Sequence, residues 1–345
     1  MKEFGSDFHT IDKFVKDAPC GMPFPDRYRL TADGRQCILE LVRHYKWKRL
    51  WMPEYFCYNI IEYLRNNTET EIVFYVDYPG YDDRSSILEL PFLEGDALLR
   101  MNYFGMRAYR SEKDIPVPVI EDHSHDLVGD WARHSDADWC IASLRKIVPI
   151  PEGGIMWSPK GIPLNAHPVQ TSFNEELARK RWRAMEEKSK YLKGEKVEKD
   201  SFRILYLETE DAFDELEISS IDERSRRYLE RFDINSWYDA KKRNWQILSN
   251  LSSNGGVEVL YPEKDTLVPF SLIILFDEEG KRDRIKKKLI EEFVYPAVLW
   301  NVPDDVHRYV RDFSRKMLSV HCDGRYNESD VKELYSKINT IIQND

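Results

Sequence analysis

Short apolar runs alternate through the first half of the chain with segments in which apolar residues recur every three or four positions. The runs are KRLWM (48–52), EIVFYV (71–76), DALLRM (96–101), VPVIE (117–121), DWCIASL (138–144) and GGIMW (153–157). Each is short and continuous, as expected of a strand buried on both faces. GRQCILELVRHY (34–45) and YFCYNIIEYLRNN (55–67) have the period of amphipathic helices. The alternation predicts an α/β fold with a mostly parallel sheet and helices on both faces.

The pattern changes from about residue 173. Two long charged stretches, 174–195 and 214–233, have a helical period, and NSWYDAKKRNWQILSNL (235–251) is predicted to be one more helix, which SSNGG (252–256) ends. We interpret the charges of the two long stretches as solvated helix faces and partner contacts rather than as part of a site.

The last ninety or so residues are predicted to form a separate small α/β domain. The predicted strands are GVEVLY (256–261), LVPFSLIILF (267–276), VYPAVLW (294–300) and MLSVH (317–321). The predicted helices are EGKRDRIKKKLIEEF (279–293), a segment around 304–316 and ESDVKELYSKINTII (328–342). We therefore divide the chain into a large domain, 1–251, which includes the long helices of 173–251, and a small C-terminal domain, 252–345.

Composition excludes several classes of protein. The net charge of −10 over 345 residues argues against a general affinity for nucleic-acid phosphates. No apolar run approaches the ~18 residues of a membrane span, and the first residues lack the apolar core of a signal peptide, so we expect a cytoplasmic protein. The cysteines are odd in number, far apart and without a CxxC pair, which argues against a disulfide framework or zinc ribbon.

Candidate chemistry is concentrated in residues 119–154. One predicted strand ends in Glu121-Asp122, and another leads into Ser143-Leu144-Arg145-Lys146 and then Glu152-Gly153-Gly154. Because Asp122 and Lys146 both follow strands of one sheet, they are expected to meet at its carboxyl edge. Pyridoxal 5'-phosphate (PLP) needs a lysine amine, a carboxylate for its ring nitrogen, and donors for its phosphate. The stretch therefore predicts a PLP site.

This pattern of an ED pair, S-x-x-K and a downstream EGG resembles the DegT/DnrJ/EryC1/StrS sugar aminotransferases, and the resemblance extends over nearly the whole chain. Weaker matches are TADGRQCI (31–38), LWMPEYFCYNII (50–61) and LLRMNYFG (98–105). The resemblance implies the three-layer fold of PLP-dependent transferases, with a mostly parallel seven-stranded sheet, a small C-terminal α/β domain and a homodimer. It also implies transfer of an amino group from a glutamate-like donor to a nucleotide-linked keto-deoxy sugar.

The resemblance assigns roles by position. Lys146 matches the lysine that forms the internal aldimine and shifts the proton. Asp122 matches the residue that pairs with the pyridine nitrogen, and His125 matches a position that contacts the ring hydroxyl. Ser143 and the backbone amides of Gly34 and Arg35 match the phosphate ligands. The aromatic residue that stacks on the ring is Tyr55, Phe56 or Tyr58, of which we favour Phe56. No metal ligand is implied.

The chain also departs from the family. Asp33 stands where the family has a small residue before the first glycine, and a carboxylate beside a phosphate is unfavourable unless it turns away or pairs with Arg35. The segment that supplies phosphate contacts from the partner subunit is not visible, and residues 213–223 in that region are acidic. These departures leave two alternatives open: a PLP enzyme of other chemistry, such as a dehydratase or a non-sugar amine transferase, and a cofactor-free relative that acts as a binding subunit.

Other interpretations of single residues remain beside these. Arg325 and Tyr326 are candidates for contact with the substrate from the C-terminal domain, and equally for a structural role. His125 is also consistent with a structural histidine, and His123 with a ring-stacking residue or, together with His125, a metal ligand without an evident third partner. Ser143 and Lys146 also match the serine–lysine spacing of some acyl-transfer enzymes, but the companion motifs of those enzymes are missing.

Overall fold

The computed structural model describes residues 2–20, 27–81, 84–163, 168–215, 217–251 and 256–345. The strands are β1 (Phe4–Gly5), β2 (Tyr28–Thr31), β3 (Arg49–Pro53), β4 (Glu71–Tyr75), β5 (Asp96–Met101), β6 (Val119–Asp122), β7 (Trp139–Ser143), β8 (Gly154–Trp157), β9 (Val257–Leu260), β10 (Leu272–Phe276), β11 (Val294–Tyr295) and β12 (Met317–Val320). The helices are α1 (Gly34–Tyr45), α2 (Tyr58–Asn67), α3 (Arg84–Leu88), α4 (Asp130–His134), α5 (Leu144–Ile147), α6 (Ser172–Leu192), α7 (Lys199–Ala212), α8 (Glu223–Arg231), α9 (Ile234–Leu248), α10 (Glu279–Glu291), α11 (Arg308–Lys316) and α12 (Glu328–Gln343). Single 3₁₀ turns lie at Tyr103–Gly105 and Phe213–Glu215.

Seven strands form the central sheet in the order β2-β8-β7-β6-β5-β3-β4. The five strands from β7 to β4 are parallel, whereas β8 is antiparallel to β7 and β2 is antiparallel to β8. Strands β5, β7 and β8 are buried along their whole length, which explains their continuous apolar sequences. The predicted α/β fold with a mostly parallel seven-stranded sheet is confirmed.

Helix α1 has the bounds that its apolar period predicts. Its first turn is capped by Asp33, whose side chain accepts a hydrogen bond from the Gly34 amide. It ends where Lys46 adopts a left-handed conformation, and the Lys46 amide bonds the Val42 carbonyl at 2.8 Å.

The structure differs from the sequence predictions in several segments after residue 190. In the described part of the stretch 214–233, helix is present only as the 3₁₀ turn and as α8, which begins after the capping carboxylate of Asp222. Helix α7 was not predicted. VYPAVLW (294–300) forms a strand only at Val294–Tyr295, because Pro296 has no N–H to continue a ladder. Most of the predicted helix stop SSNGG lies outside the described residues.

Strands β9, β10 and β12 form a separate antiparallel sheet in the order β12-β10-β9. Its apolar face packs with the buried residues of α10 and α12, such as Ile285 and Leu334. Strand β1 pairs with β11 in parallel, so that residues near the start of the sequence join this C-terminal region.

Candidate active site

Four strands of the central sheet end at the edge where the predicted site residues lie. Strands β3, β6 and β7 are parallel, and β2 has the same direction because β8 is antiparallel to both β2 and β7. Phe56 follows β3, Asp122 ends β6, Lys146 follows β7 and Gly34 follows β2. The sheet thus brings together residues that are more than a hundred positions apart in sequence.

Lys146 lies in α5, a single helical turn, and lines a cavity of about 320 Å³. The loop that follows α5 is fixed by the EGG motif. Gly153 has a φ of +119°, and its amide bonds the Ala32 carbonyl at 2.6 Å. A Cβ on Gly154 would lie 2.5 Å from the carbonyl group of Asp33. These glycines therefore let β8 pass directly beside the turn before α1, which holds the Lys146 loop against that turn.

Asp122 is buried at the end of β6, and its Oδ1 accepts a hydrogen bond from the Ser124 amide at 2.8 Å. The same short turn fixes the end of β7, because the Ser124 hydroxyl accepts a hydrogen bond from the Ser143 amide at 2.8 Å. Asp122 and Ser143 are thus connected through one serine between adjacent parallel strands.

His125 is fully buried and lines the cavity with Lys146. Its Nδ1 accepts a hydrogen bond from the Phe104 amide at 3.0 Å, so the ring proton is on Nε2. Nε2 has no hydrogen-bond partner among the described residues. Burial, together with the charges of Lys146 and Lys241, holds the pKa of His125 well below its usual value. His125 is therefore a neutral donor with an unused N–H.

The indole ring of Trp300 lies against His125 and Phe56. The Trp300 ring is stacked on His125, with centroids 5.5 Å apart and planes at 16°, and its centroid is 5.9 Å from that of Phe56. The Lys146 Nζ lies 5.3 Å from the indole centroid. Sequence reasoning missed Trp300, because nothing in the apolar run 294–300 shows that it reaches a cavity formed by residues 125 and 146.

The Asp33 carboxylate occupies the start of α1, where the resemblance places a phosphate. Its Oδ1 accepts a hydrogen bond from the Gly34 amide at 2.7 Å and lies 3.5 Å from the Ser143 hydroxyl. Its Oδ2 lies 2.8 Å from the Arg35 Nε, and Arg35 also pairs with Asp214. The carboxylate thus contacts the Gly34 amide and the Ser143 hydroxyl, two of the groups that the resemblance assigns to a phosphate.

Gly34 is required at this position by close packing. A Cβ added there would lie 2.9 Å from the Ser143 Cβ and 3.1 Å from the Ser143 amide nitrogen. The glycine therefore lets the first turn of α1 lie directly against the end of β7.

Other predicted aromatic and histidine residues have structural roles. The Tyr55 hydroxyl donates to the Leu299 carbonyl, and Tyr58 stacks on Phe74. The His123 Nε2 lies 2.8 Å from Glu121, which also accepts a hydrogen bond from Trp131 at 2.8 Å. The possible ligand atoms of Glu121, His123 and Cys140 lie within 4.8 Å of one another, but in this structure they hydrogen-bond to each other.

Three arginines line the cavity wall: Arg145 after β7, Arg181 on α6 and Arg325 after β12. The sequence analysis named Arg325 as a candidate for substrate contact, whereas Arg145 and Arg181 were not predicted. The interpretation of the charges in 174–195 as solvated is wrong for Arg181, whose exposed fraction is 4%, and for Lys188, at 3%. The helical period alone could not distinguish these two from their exposed neighbours, because charged residues occur all around α6.

Comparisons with known proteins give matches at the level of structure only. No protein-family model matches the chain, and a search of curated proteins found no match. Among solved structures, Spr1654 of Streptococcus pneumoniae, named as a sugar aminotransferase, superposes with a TM-score of 0.67 at 11% identity, over 99% of this chain and 98% of that one. The chain has the fold of that protein.

Two further solved structures share this fold. The aminotransferase TlmJ of Streptoalloteichus hindustanus has a TM-score of 0.61 at 11% identity, over 92% of this chain and 86% of its own. A DegT DnrJ EryC1 StrS aminotransferase of Brucella abortus has a TM-score of 0.57 at 13% identity, over 91% and 86%. The Brucella abortus protein is named after the family that the sequence motif resembles.

None of the helices in the described residues is long and apolar enough to span a membrane.

Proposed function

We propose that the protein is a PLP-dependent aminotransferase in which Lys146 binds the cofactor. The observation that carries this proposal is the position of Lys146: it lines a cavity at the carboxyl edge of the sheet and follows β7, which is paired with the strand that ends in Asp122. In open α/β sheets this edge is where ligands bind. The fold is that of solved aminotransferases, one of which is described in PLP and PMP forms.

The residues at the ring end have the chemistry that the cofactor needs. Lys146 supplies the amine, Asp122 a buried carboxylate, and His125 a buried Nε2–H without a partner, which could donate to a ring hydroxyl. The phosphate end fits only if the Asp33 carboxylate turns away from the Gly34 amide and the Ser143 hydroxyl. The ring end likewise requires Trp300 to leave its place beside His125 and Phe56.

PLP, when bound, supplies an electron sink for the substrate carbon. The residues of the chain would do the rest. The Lys146 amine would move a proton between that carbon and C4′ of the cofactor. The Asp122 carboxylate would keep a proton on the ring nitrogen, and Phe56 would cover one face of the ring. His125 would stay neutral throughout, because its pKa is held low by burial and by Lys146 and Lys241.

The substrates follow from the resemblance rather than from the cavity. We propose a glutamate-like amino donor and a nucleotide-linked keto-deoxy sugar as acceptor. One structure with the same fold, DesI, is described in the presence of its TDP-sugar product. A homodimer, a cytoplasmic location and the division into domains 1–251 and 252–345 belong to the same proposal.

The test is an absorption spectrum of the purified protein with added PLP, before and after borohydride, followed by peptide mapping. We expect a visible band that reduction removes, with the pyridoxyl group on Lys146. Lys146→Ala should lack the band, whereas Lys160→Ala, which changes an exposed lysine paired with Asp138, should keep it. A band of wild-type strength in Lys146→Ala would overturn the assignment.

The second candidate is a cofactor-free binding subunit, and the positions of Asp33 and Trp300 favour it. Absence of both the band and the adduct in the wild-type protein would support this candidate. If PLP binds, incubation with keto-sugar nucleotides and analysis of the products would separate amino transfer from a dehydratase or another PLP reaction.

A further inference from the structure

We propose that the chain contains a structural zinc site on the opposite face of the central sheet from Asp122, with Glu121, His123 and Cys140 as ligands. The proposal goes beyond the proposed function and does not depend on it. From the sequence, His123 and His125 formed a possible ligand pair without a third partner. In the structure, Glu121 and Cys140 are the residues that lie within reach of one ion together with His123.

The register of the strands brings the three residues to one face of the sheet. Glu121 in β6 is paired with Cys140 in β7, and paired residues of neighbouring strands point to the same face. His123 comes two positions after Glu121 and points the same way, and its amide bonds the Ile141 carbonyl at 2.8 Å. Asp122, between them, points to the other face. The site is therefore built on the backbone of two adjacent strands.

The ligand atoms lie at distances close to those of a zinc site. The His123 Nε2 is 2.8 Å from the Glu121 Oε2, and the Cys140 Sγ is 3.5 Å from the same oxygen. The three atoms lie within 4.8 Å of one another. With the usual bond lengths, the ligand atoms of a tetrahedral zinc ion are about 3.4–3.6 Å apart. A small outward shift of the side chains would therefore admit the ion, and imidazole, thiolate and carboxylate are the ligand types that zinc takes in proteins.

Neighbouring polar groups hold two of the ligands in place. The second oxygen of Glu121, Oε1, accepts a hydrogen bond from the Trp131 Nε1 at 2.8 Å. The Cys140 Sγ lies 3.3 Å from the Ser135 hydroxyl. Such outer contacts orient the ligands of a metal. None of the three proposed ligands is more than 1% exposed, so water does not compete with the ion.

A fourth acceptor lies close by on Glu112. This residue is 3% exposed, and its Oε2 has no hydrogen-bond partner in the described part of the chain. Its Oε1 accepts a hydrogen bond from the Arg100 Nη1 at 2.5 Å, and Arg100 is paired with Glu121 in the register of β5 and β6. Burial raises the pKa of Glu112 to about 8, and the charge of Glu121 adds to this in spite of Arg100. A buried oxygen without a partner beside the three ligands indicates a place for an ion, which a shift of the Glu112 side chain would complete.

The charges of the cluster match one dication. The two carboxylates and the thiolate carry three negative charges, and Arg100 carries one positive charge. A zinc ion makes this buried group neutral, whereas an unbalanced buried charge is costly. Without the ion, neutrality requires that two of the acidic groups keep their protons, which zinc would displace. The bound ion would tie β6 to β7 directly behind Asp122 and thus fix the two strand ends that precede the cavity.

The metal content of tag-free protein tests the proposal. Because the ligands are buried, we expect the ion to be bound as the chain folds, so the protein is produced in zinc-supplemented medium and measured by mass spectrometry of the elements after gel filtration. We expect one zinc per chain and, in X-ray absorption, one sulfur ligand at about 2.3 Å.

Ligand variants locate the ion. Cys140→Ser nearly keeps the shape of the side chain and should weaken zinc binding at least about tenfold in competition with a chelator, because even groups that only orient a ligand change metal affinity by about 10–100-fold. Cys37→Ser changes a buried cysteine that contacts the Thr31 hydroxyl and should bind zinc as the wild type does.

A second ligand variant and a stability measurement guard against misfolding. His123→Gln should also lose zinc, while circular dichroism confirms that each variant is folded. The wild-type protein should unfold at a higher temperature when it is produced with zinc than in zinc-depleted medium, because the ion binds only the folded chain. Wild-type protein without zinc, equal zinc binding in Cys140→Ser, or an ion without a sulfur ligand would overturn the proposal. Another metal at that occupancy would overturn the assignment to zinc. The PLP absorption band is measured separately, so its absence would count against the proposed function and not against the zinc site.

Discussion

Replacement of Asp33 by serine tests whether the carboxylate at the start of α1 opposes a bound phosphate. Serine can also cap a helix, so α1 should keep its first turn. Arg35 keeps a second partner, Asp214. The expected effect is therefore on ligand binding more than on folding.

The magnitude follows from the contacts of Asp33. Two unit charges 4 Å apart repel with about 4 kcal/mol at an effective dielectric constant of about 20. The positive charge of Arg35, whose Nε is 2.8 Å from the Asp33 Oδ2, offsets most of this repulsion. The quarter of the repulsion energy that remains is about 1 kcal/mol. Asp33 must also release its charge-assisted hydrogen bond from the Gly34 amide, worth about 1 kcal/mol more than the bond of a neutral cap. The sum of about 2 kcal/mol corresponds to a dissociation constant about 30-fold lower.

The assay is a PLP titration followed by absorbance, with the matched variant Asp33→Asn. Asparagine keeps the shape of the side chain and removes the charge, so it should give the electrostatic part alone, about fivefold. Asp233→Asn removes a carboxylate that caps α9 through the Ser236 amide and should leave PLP affinity unchanged. Unaltered or weaker PLP binding in both Asp33 variants would refute the reasoning.

Three further predictions concern other parts of the site. Trp300→Ala removes the ring stacked on His125, so PLP should enter faster in stopped-flow absorbance; an unchanged rate would mean that Trp300 does not obstruct the site. Burial raises the pKa of Glu152 to about 8, so the folded state holds this proton more tightly than the unfolded state. The resulting stability is fully present below the usual pKa near 4.5 and is lost as the pH rises to about 8; Glu152→Gln should therefore lose less stability than the wild type between pH 5 and pH 9 in urea unfolding. Gly34→Ala places a Cβ 2.9 Å from the Ser143 Cβ and should cost about 1–3 kcal/mol in the free energy of unfolding; a cost near zero would show that α1 and β7 can separate freely.

Local patterns in the sequence predicted much of the sheet, because buried strands and amphipathic helices each have their own period. Helix α1 was predicted at its observed bounds, and each run from 48 to 157 overlaps a strand. Strand β2 was missed, since YRLT has neither a continuous apolar run nor a clear alternation. Helix α7 was missed as well, although its apolar residues follow a helical spacing.

The site was predictable to the extent that it depends on strand ends. Asp122 ends β6 and Lys146 follows the adjacent β7, and neighbouring parallel strands end at one edge. Arg181, Arg325 and Trp300 reach the cavity from elements far along the chain, and their orientation depends on tertiary packing. That Asp33 would turn inward and cap α1 could be anticipated from its side chain, since aspartate is a preferred cap.

The pairing of β1 with β11 affects the order in which the cavity forms during synthesis. Phe4 pairs with Val294, and the Gly5 amide bonds the Tyr326 hydroxyl at 2.6 Å. Ser6 and Asp7, which follow directly, form part of the cavity wall. Contacts over such long separations form late, and residues 294–326 must leave the ribosome before residues 4–7 can find their partners. The central sheet can therefore fold first, and an incomplete chain would carry Lys146 on a sheet edge without its covering wall, exposed to any reactive aldehyde in its surroundings.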